Sequence, residues 1–281
     1  MRTTVRGLAT SESTDFLLTL RNQQMSLPAD QTPASATNTP PLSLVQFADR
    51  FRAELIPLSG NFSYFCAASL PFTEEDTRDY LEEPVGALPP AILAQLPKIS
   101  ILIVPYLSRE KSEKASVSMV APPEEQLSWT AQIRNNQETV LAFTFNGHDV
   151  SEYHYRFYQQ ISQLIWDRKD TAVRSRFSTL LVEEIAASVH GEVDEDSWRT
   201  KQQLQRRDGK VKAESKVFAE YLKASFIDTM TLYLHGICCD IDVDTGPRQL
   251  PSRYLRKRLQ LFKELFAPPA DYFVLPEDMK K

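Results

Sequence analysis

Apolar positions recur with two different periods along this chain, and the change between them falls near residue 147. Before it, short runs read mostly as strands. Residues 99–106, ISILIVPY, are apolar on both faces, which predicts a central buried strand. The aromatic-rich stretch 61–70, bounded by Gly60 and Pro71, reads as another strand, and 115–121 alternates weakly. Residues 127–134 and 138–145 flank Asn135-Asn136-Gln137 and predict a hairpin. Three helices interrupt this half. One spans 43–56, with Leu44, Phe47, Phe51 and Leu55 at helical spacing. A second starts at a Thr73 cap followed by Glu74, Glu75 and Asp76, and the third is short, at 90–96.

Beyond Asn146-Gly147 the spacing becomes helical, predicting helices at 150–168, 171–190, 194–207, 213–235 and 252–266. Strands followed by helices imply an α+β fold: a mainly antiparallel sheet of four to five strands, then a layer of about five helices. Residues 43–148 would carry the sheet and 149–281 the helices, and 43–281 can form one domain. Residues 26–42 are rich in Pro, Ser, Thr and Ala and read as a disordered linker. They tether residues 1–25, where 11–23 can form a short amphipathic helix with Phe16, Leu17 and Leu20 on one side. That layout suits docking to a protein partner.

Charge and composition narrow the function classes. A net charge of −5 and a pI near 5.5 argue against a general nucleic-acid binder. No apolar run approaches the roughly 18–20 residues that cross a bilayer, so no membrane span is expected. The eight glycines are all far apart, and GxGxxG, GxxxxGK[ST] and GxSxG are missing. Phosphate-cradling loops need closely spaced glycines, so dinucleotide-binding, P-loop and α/β-hydrolase folds are not expected. Three cysteines, two of them adjacent (Cys238, Cys239), make no disulfide framework and suit a reducing cytoplasm. They read as small core residues.

Candidate chemistry comes from an internal echo. LVEEIAASVHGEVDED carries Glu183, His190-Gly191 and an acidic run. Asp228, His235-Gly236 and Asp240, Asp242 and Asp244 repeat that register 45 positions later. If both His-Gly pairs end neighbouring helices, His190 and His235 meet on one rim beside Glu192, Asp240 and Asp242. Two imidazoles with carboxylates suit zinc, manganese or iron. A Gly C-cap and a His in a helix's last turn account for the same residues without a metal. Glu183 and His190 cannot share one ion, because seven helical residues rise about 10 Å.

The segment EEIAASVHGE resembles the active helix of zinc peptidases, HEIAH, with Glu184 at the general base. Glu183 and Ala187 stand where the two histidine ligands belong, so the resemblance implies a degenerate metalloprotease. Glu184 cannot activate water without an ion. The last helix carries the one concentrated basic patch, Arg253, Arg256 and Arg258 with nearby Arg248, suited to a phosphate or an acidic partner. Charged stripes on amphipathic helices are routine, so it reads first as a solvated helix face that also pairs with the acidic loop 240–244. His148 and His154 read as loop or interface residues. The residues point first to an intracellular interaction or regulatory protein without catalytic chemistry of its own. The alternative is a metal-dependent hydrolase at two adjacent helix C-termini.

Overall fold

The computed structural model describes residues 41–109, 114–135, 138–145, 149–206, 215–239 and 248–274. From residue 39 onward the chain forms one compact unit with an α+β fold. The docking segment 11–23, the linker as far as residue 40, His148, Asp240, Asp242 and Asp244 lie outside the described residues. Leu42, expected in the disordered linker, instead pairs with Val117 in a strand.

Nine strands form two sheets among the described residues. The larger runs β2 (Ile56–Pro57), β3 (Phe62–Cys66), β4 (Lys98–Val104), β9 (Glu138–Thr144), β8 (Thr130–Arg134). The smaller runs β1 (Leu42–Ser43), β6 (Ala115–Ser118), β5 (Tyr106–Arg109), β7 (Leu127–Ser128). Pairing is antiparallel except where β4 lies parallel to both β3 and β9. A parallel neighbour requires a crossover. Between β3 and β4 that crossover is helical: α2 (Glu74–Thr77), a π-turn, α3 (Glu83–Gly86) and α4 (Pro90–Leu93). Thr73 opens it with a capping box closed by Asp76, as its sequence predicts.

Period-two alternation on β4 feeds two cores. Ile99, Ile101 and Ile103 pack with Leu141, Phe143 and the helical layer, while Leu102 and Val104 pack on the opposite face. There they meet Phe47 of α1 (Leu44–Phe51) and Leu107 and Val117 of the smaller sheet. The larger sheet is therefore covered on both sides, which is why β4 is apolar on both faces from Ile101 to Val104.

The helical layer comprises α5 (Val150–Asp167), α6 (Thr171–Ala186), α7 (Glu195–Gln205), α8 (Lys216–Cys238) and α9 (Ser252–Leu265). Helix α8 is its centre, packed against α5, α6, α7 and α9. Fourteen of its 23 residues are buried, so it carries no single apolar stripe.

The two His-Gly pairs take different structures. Helix α6 stops at Ala186, and Gly191 lies in the loop beyond it at φ +77°. There Glu192 makes a parallel bridge with Gln249, and a Cβ on Gly191 would stand 2.1 Å from the Gln249 carbonyl oxygen. Gly236, by contrast, sits inside α8, which continues to Cys238. A helical glycine costs about 1 kcal/mol relative to alanine. Burying Ile237 on the same turn contributes about 1.5–3 kcal/mol, so the helix runs on. Neither glycine is a helix C-cap.

Candidate functional site

Three polar centres lie in or beside the helical layer. The first is built around Arg258, whose side chain is wholly buried. Leu255, Leu259 and Phe262 share the inward face of α9, and Arg258 falls within that stripe. On α6, Phe177, Leu181 and Glu184 occupy one face in the same way. Arg258 Nε donates to both Glu184 oxygens at 3.1 Å, and its Nη1 donates to Glu192 Oε2 at 2.8 Å. Lys201 Nζ donates to Glu192 Oε1 at 2.9 Å and to the Gly191 carbonyl at 2.8 Å. The Tyr221 hydroxyl donates to Glu192 at 2.5 Å, and Arg258 Nη1 also donates to Ser225 Oγ at 2.8 Å. Two cations and two carboxylates thus balance in a buried network that ties α6, α7, α8 and α9 together. Burial alone would raise the Glu192 pKa, but Arg258, with Lys201 and Tyr221, holds it down at about 2.

This network decides where several nominated residues stand. Glu184 has both oxygens on Arg258 and is only 2% exposed, so its carboxylate is shielded from solvent as well as paired. Arg258 is withdrawn from the proposed basic surface, because its guanidinium is fully engaged in the core. Arg253 and Arg256 remain exposed on α9, and Arg248 lies 4.7 Å over the Trp198 ring. Glu192 is sealed beneath the loop that Gly191 allows. His190 is exposed, whereas His235 is buried against Tyr155 and Tyr158 of α5. No metal-competent group among the described residues contains His190, Glu192 or His235.

The second centre is a cleft of about 910 Å³ between β8, α5, α7 and α8. Gln159, Gln163, Gln203, Arg199 and Lys223 line it, with Asp228 among them only 4% exposed. One Asp228 oxygen accepts from the Ser197 backbone N–H at 2.9 Å, in the first turn of α7. Burial outweighs that hydrogen bond and, with Asp194 and Asp196 nearby, pushes the Asp228 carboxyl up to about 7. Among the described residues it makes no salt bridge.

The third centre was not foreseen as a site. Helix α8 ends at Cys238, and Cys239 turns into an extended conformation (φ −128°, ψ 146°) while its N–H bonds the His235 carbonyl at 2.8 Å. Both sulfurs approach His154 of α5: Nδ1 lies 3.1 Å from Cys239 Sγ and 3.7 Å from Cys238 Sγ. The other ring nitrogen, Nε2, is 2.6 Å from the Asp79 carbonyl oxygen. A carbonyl only accepts, so Nε2 carries the proton and Nδ1 faces the sulfurs. The Cys239 hydrogen bond, reinforced by His154 and Tyr158, lowers the Cys238 pKa below the usual thiol range. Cys66, far from these groups in sequence, is instead pushed up to about 11 by burial. None of the three cysteines is in a disulfide.

No family model, curated protein or solved structure matches this chain. Its zinc-peptidase resemblance therefore rests on ten residues. The glutamate at the general-base position there is the one paired with Arg258.

Proposed function

We propose that this chain is an interaction or regulatory protein that works by binding, with no catalytic role for Glu184. One observation carries the reading: the carboxylate at the general-base position is paired with Arg258 inside the buried core. Water activation needs a carboxylate that the water can reach, and usually an ion. The cleft beside Asp228 supplies a concave polar surface for a ligand. Exposed Arg253 and Arg256 offer contacts to an acidic partner, and residues 11–23 are the segment whose sequence suits docking to a protein.

Cysteines outside any disulfide favour a reducing compartment such as the cytoplasm. Among the described residues, no helix is long and apolar enough to cross a membrane. The test is a partner recovered with the full chain by crosslinking and co-purification from its own cells. Removing residues 1–25 is expected to lose that partner while leaving the thermal midpoint of the compact unit unchanged. Equal recovery by the truncated chain would contradict the docking role.

A further inference from the structure

We infer that His154, Cys238 and Cys239 ligate a soft divalent cation of the zinc class, with His235 as the fourth ligand. This site is separate from the binding reading above and shares only His235 with the helix-rim site expected from the sequence.

The geometry of the three primary ligands is close to what zinc requires. Their ligand atoms all lie within 4.8 Å of one another. Tetrahedral zinc, with Zn–S about 2.3 Å and Zn–N about 2.0–2.1 Å, sets N···S near 3.6 Å and S···S near 3.8 Å. The 3.7 Å separation of His154 Nδ1 from Cys238 Sγ already fits. The 3.1 Å approach of Cys239 needs to open by about half an ångström, which a single χ1 adjustment provides.

The surroundings agree. The hydrogen bond from His154 Nε2 to the Asp79 carbonyl fixes the ring's tautomer and direction, as outer-shell acceptors do for metal-bound histidines. Two thiolates with a neutral imidazole balance a doubly charged ion. Sulfur-rich ligation selects zinc or copper(I) over magnesium or calcium.

His235 is an independent pointer. Its ring is 6% exposed, and its Nε2 has no hydrogen-bond partner among the described residues. A buried polar atom left unmatched costs about 1–3 kcal/mol and calls for an explanation. His235 stands three and four residues before the two cysteines, so all three share the end of α8. In the structure its ring nitrogens lie outside the His154–Cys238–Cys239 cluster, so it joins as a ligand only by turning its ring toward the sulfurs when the ion binds.

The test uses the full chain, purified without chelator and titrated with Co²⁺ and with Zn²⁺. One equivalent of Co²⁺ should produce a thiolate-to-cobalt charge-transfer band. Cys238→Ser/Cys239→Ser, with its thermal midpoint recorded to confirm folding, should lose the band and at least about tenfold in affinity. His235→Ala should keep the band and weaken binding by about tenfold. In the unmodified protein, Zn²⁺ should protect Cys238 and Cys239 from iodoacetamide and leave Cys66 unchanged. Absence of the band, equal alkylation with and without Zn²⁺, or full affinity in the double variant overturns the site. Full affinity in His235→Ala overturns the fourth ligand alone.

Discussion

Replacing Asp228 with Asn should reverse part of the protein's pH dependence. The carboxyl titrates near 7 in the folded chain against 3.8 for the ordinary side chain, a difference of about 3 units. At 1.36 kcal/mol per unit this amounts to about 4 kcal/mol. A folded-state pKa raised above the unfolded one means that the folded state holds the proton more tightly. The stabilisation is therefore fully present below about pH 4 and is lost as pH rises to about 7. Asparagine stays neutral throughout, and its side-chain oxygen can still accept from the Ser197 N–H. Asp228→Asn should thus match the parent within about 1 kcal/mol at pH 4 and exceed it by up to about 4 kcal/mol at pH 8. Urea unfolding of both proteins at several pH values measures the difference, and every other titrating group cancels in it. A gap that stays constant from pH 4 to pH 8 would refute a protonated Asp228 in the cleft.

Two further outcomes follow from the Arg258 network and its loop. Gly191→Ala combines a left-handed φ with a Cβ 2.1 Å from a backbone oxygen, so unfolding free energy should fall by at least about 2 kcal/mol. A loss below about 0.5 kcal/mol would contradict the tight passage of Gly191 against Gln249. Glu192, held at about 2, contributes stability above pH 4.5 that is lost as pH falls toward 2. That is about 3 kcal/mol. Acid unfolding of Glu192→Gln should lack this component, and an unchanged acid limb would count against the ion pairs.

Most of the fold was legible because hydrophobic period is set by burial geometry. The helical run after residue 147, the antiparallel pairing of 130–134 with 138–144 and the Thr73 cap stand where residue spacing and capping chemistry place them. Leu127 and Ser128, expected in the same hairpin strand, instead pair with β5 of the smaller sheet. The parallel pairing of β4 was harder to see, because an apolar run announces burial on both faces without saying which neighbours lie beside it. The site was less legible. The His-Gly echo misled because glycine serves different physical purposes, and here it permits a close backbone approach at Gly191 and is carried inside an unbroken α8 at Gly236. Arg258 carried a readable signal, since it occupies the same helical face as Leu255, Leu259 and Phe262. Glu184 carried one too, in register with Phe177 and Leu181. A cation and an anion each embedded in an apolar stripe, on helices 74 residues apart, are natural partners. The His154–Cys239 approach spans 85 residues and gives no linear trace.

The central claim is that Glu184 serves as a buried counter-ion to Arg258, and a double-mutant cycle tests it most directly. Unfolding free energies of Glu184→Gln, Arg258→Met, the double variant and the parent give the coupling between the two side chains. The buried pair predicts a coupling of about 3 kcal/mol or more, with each single variant strongly destabilised and the double variant recovering part of the loss. A coupling below about 1 kcal/mol, the range of exposed ion pairs, would contradict the account and return Glu184 to the list of candidate catalysts.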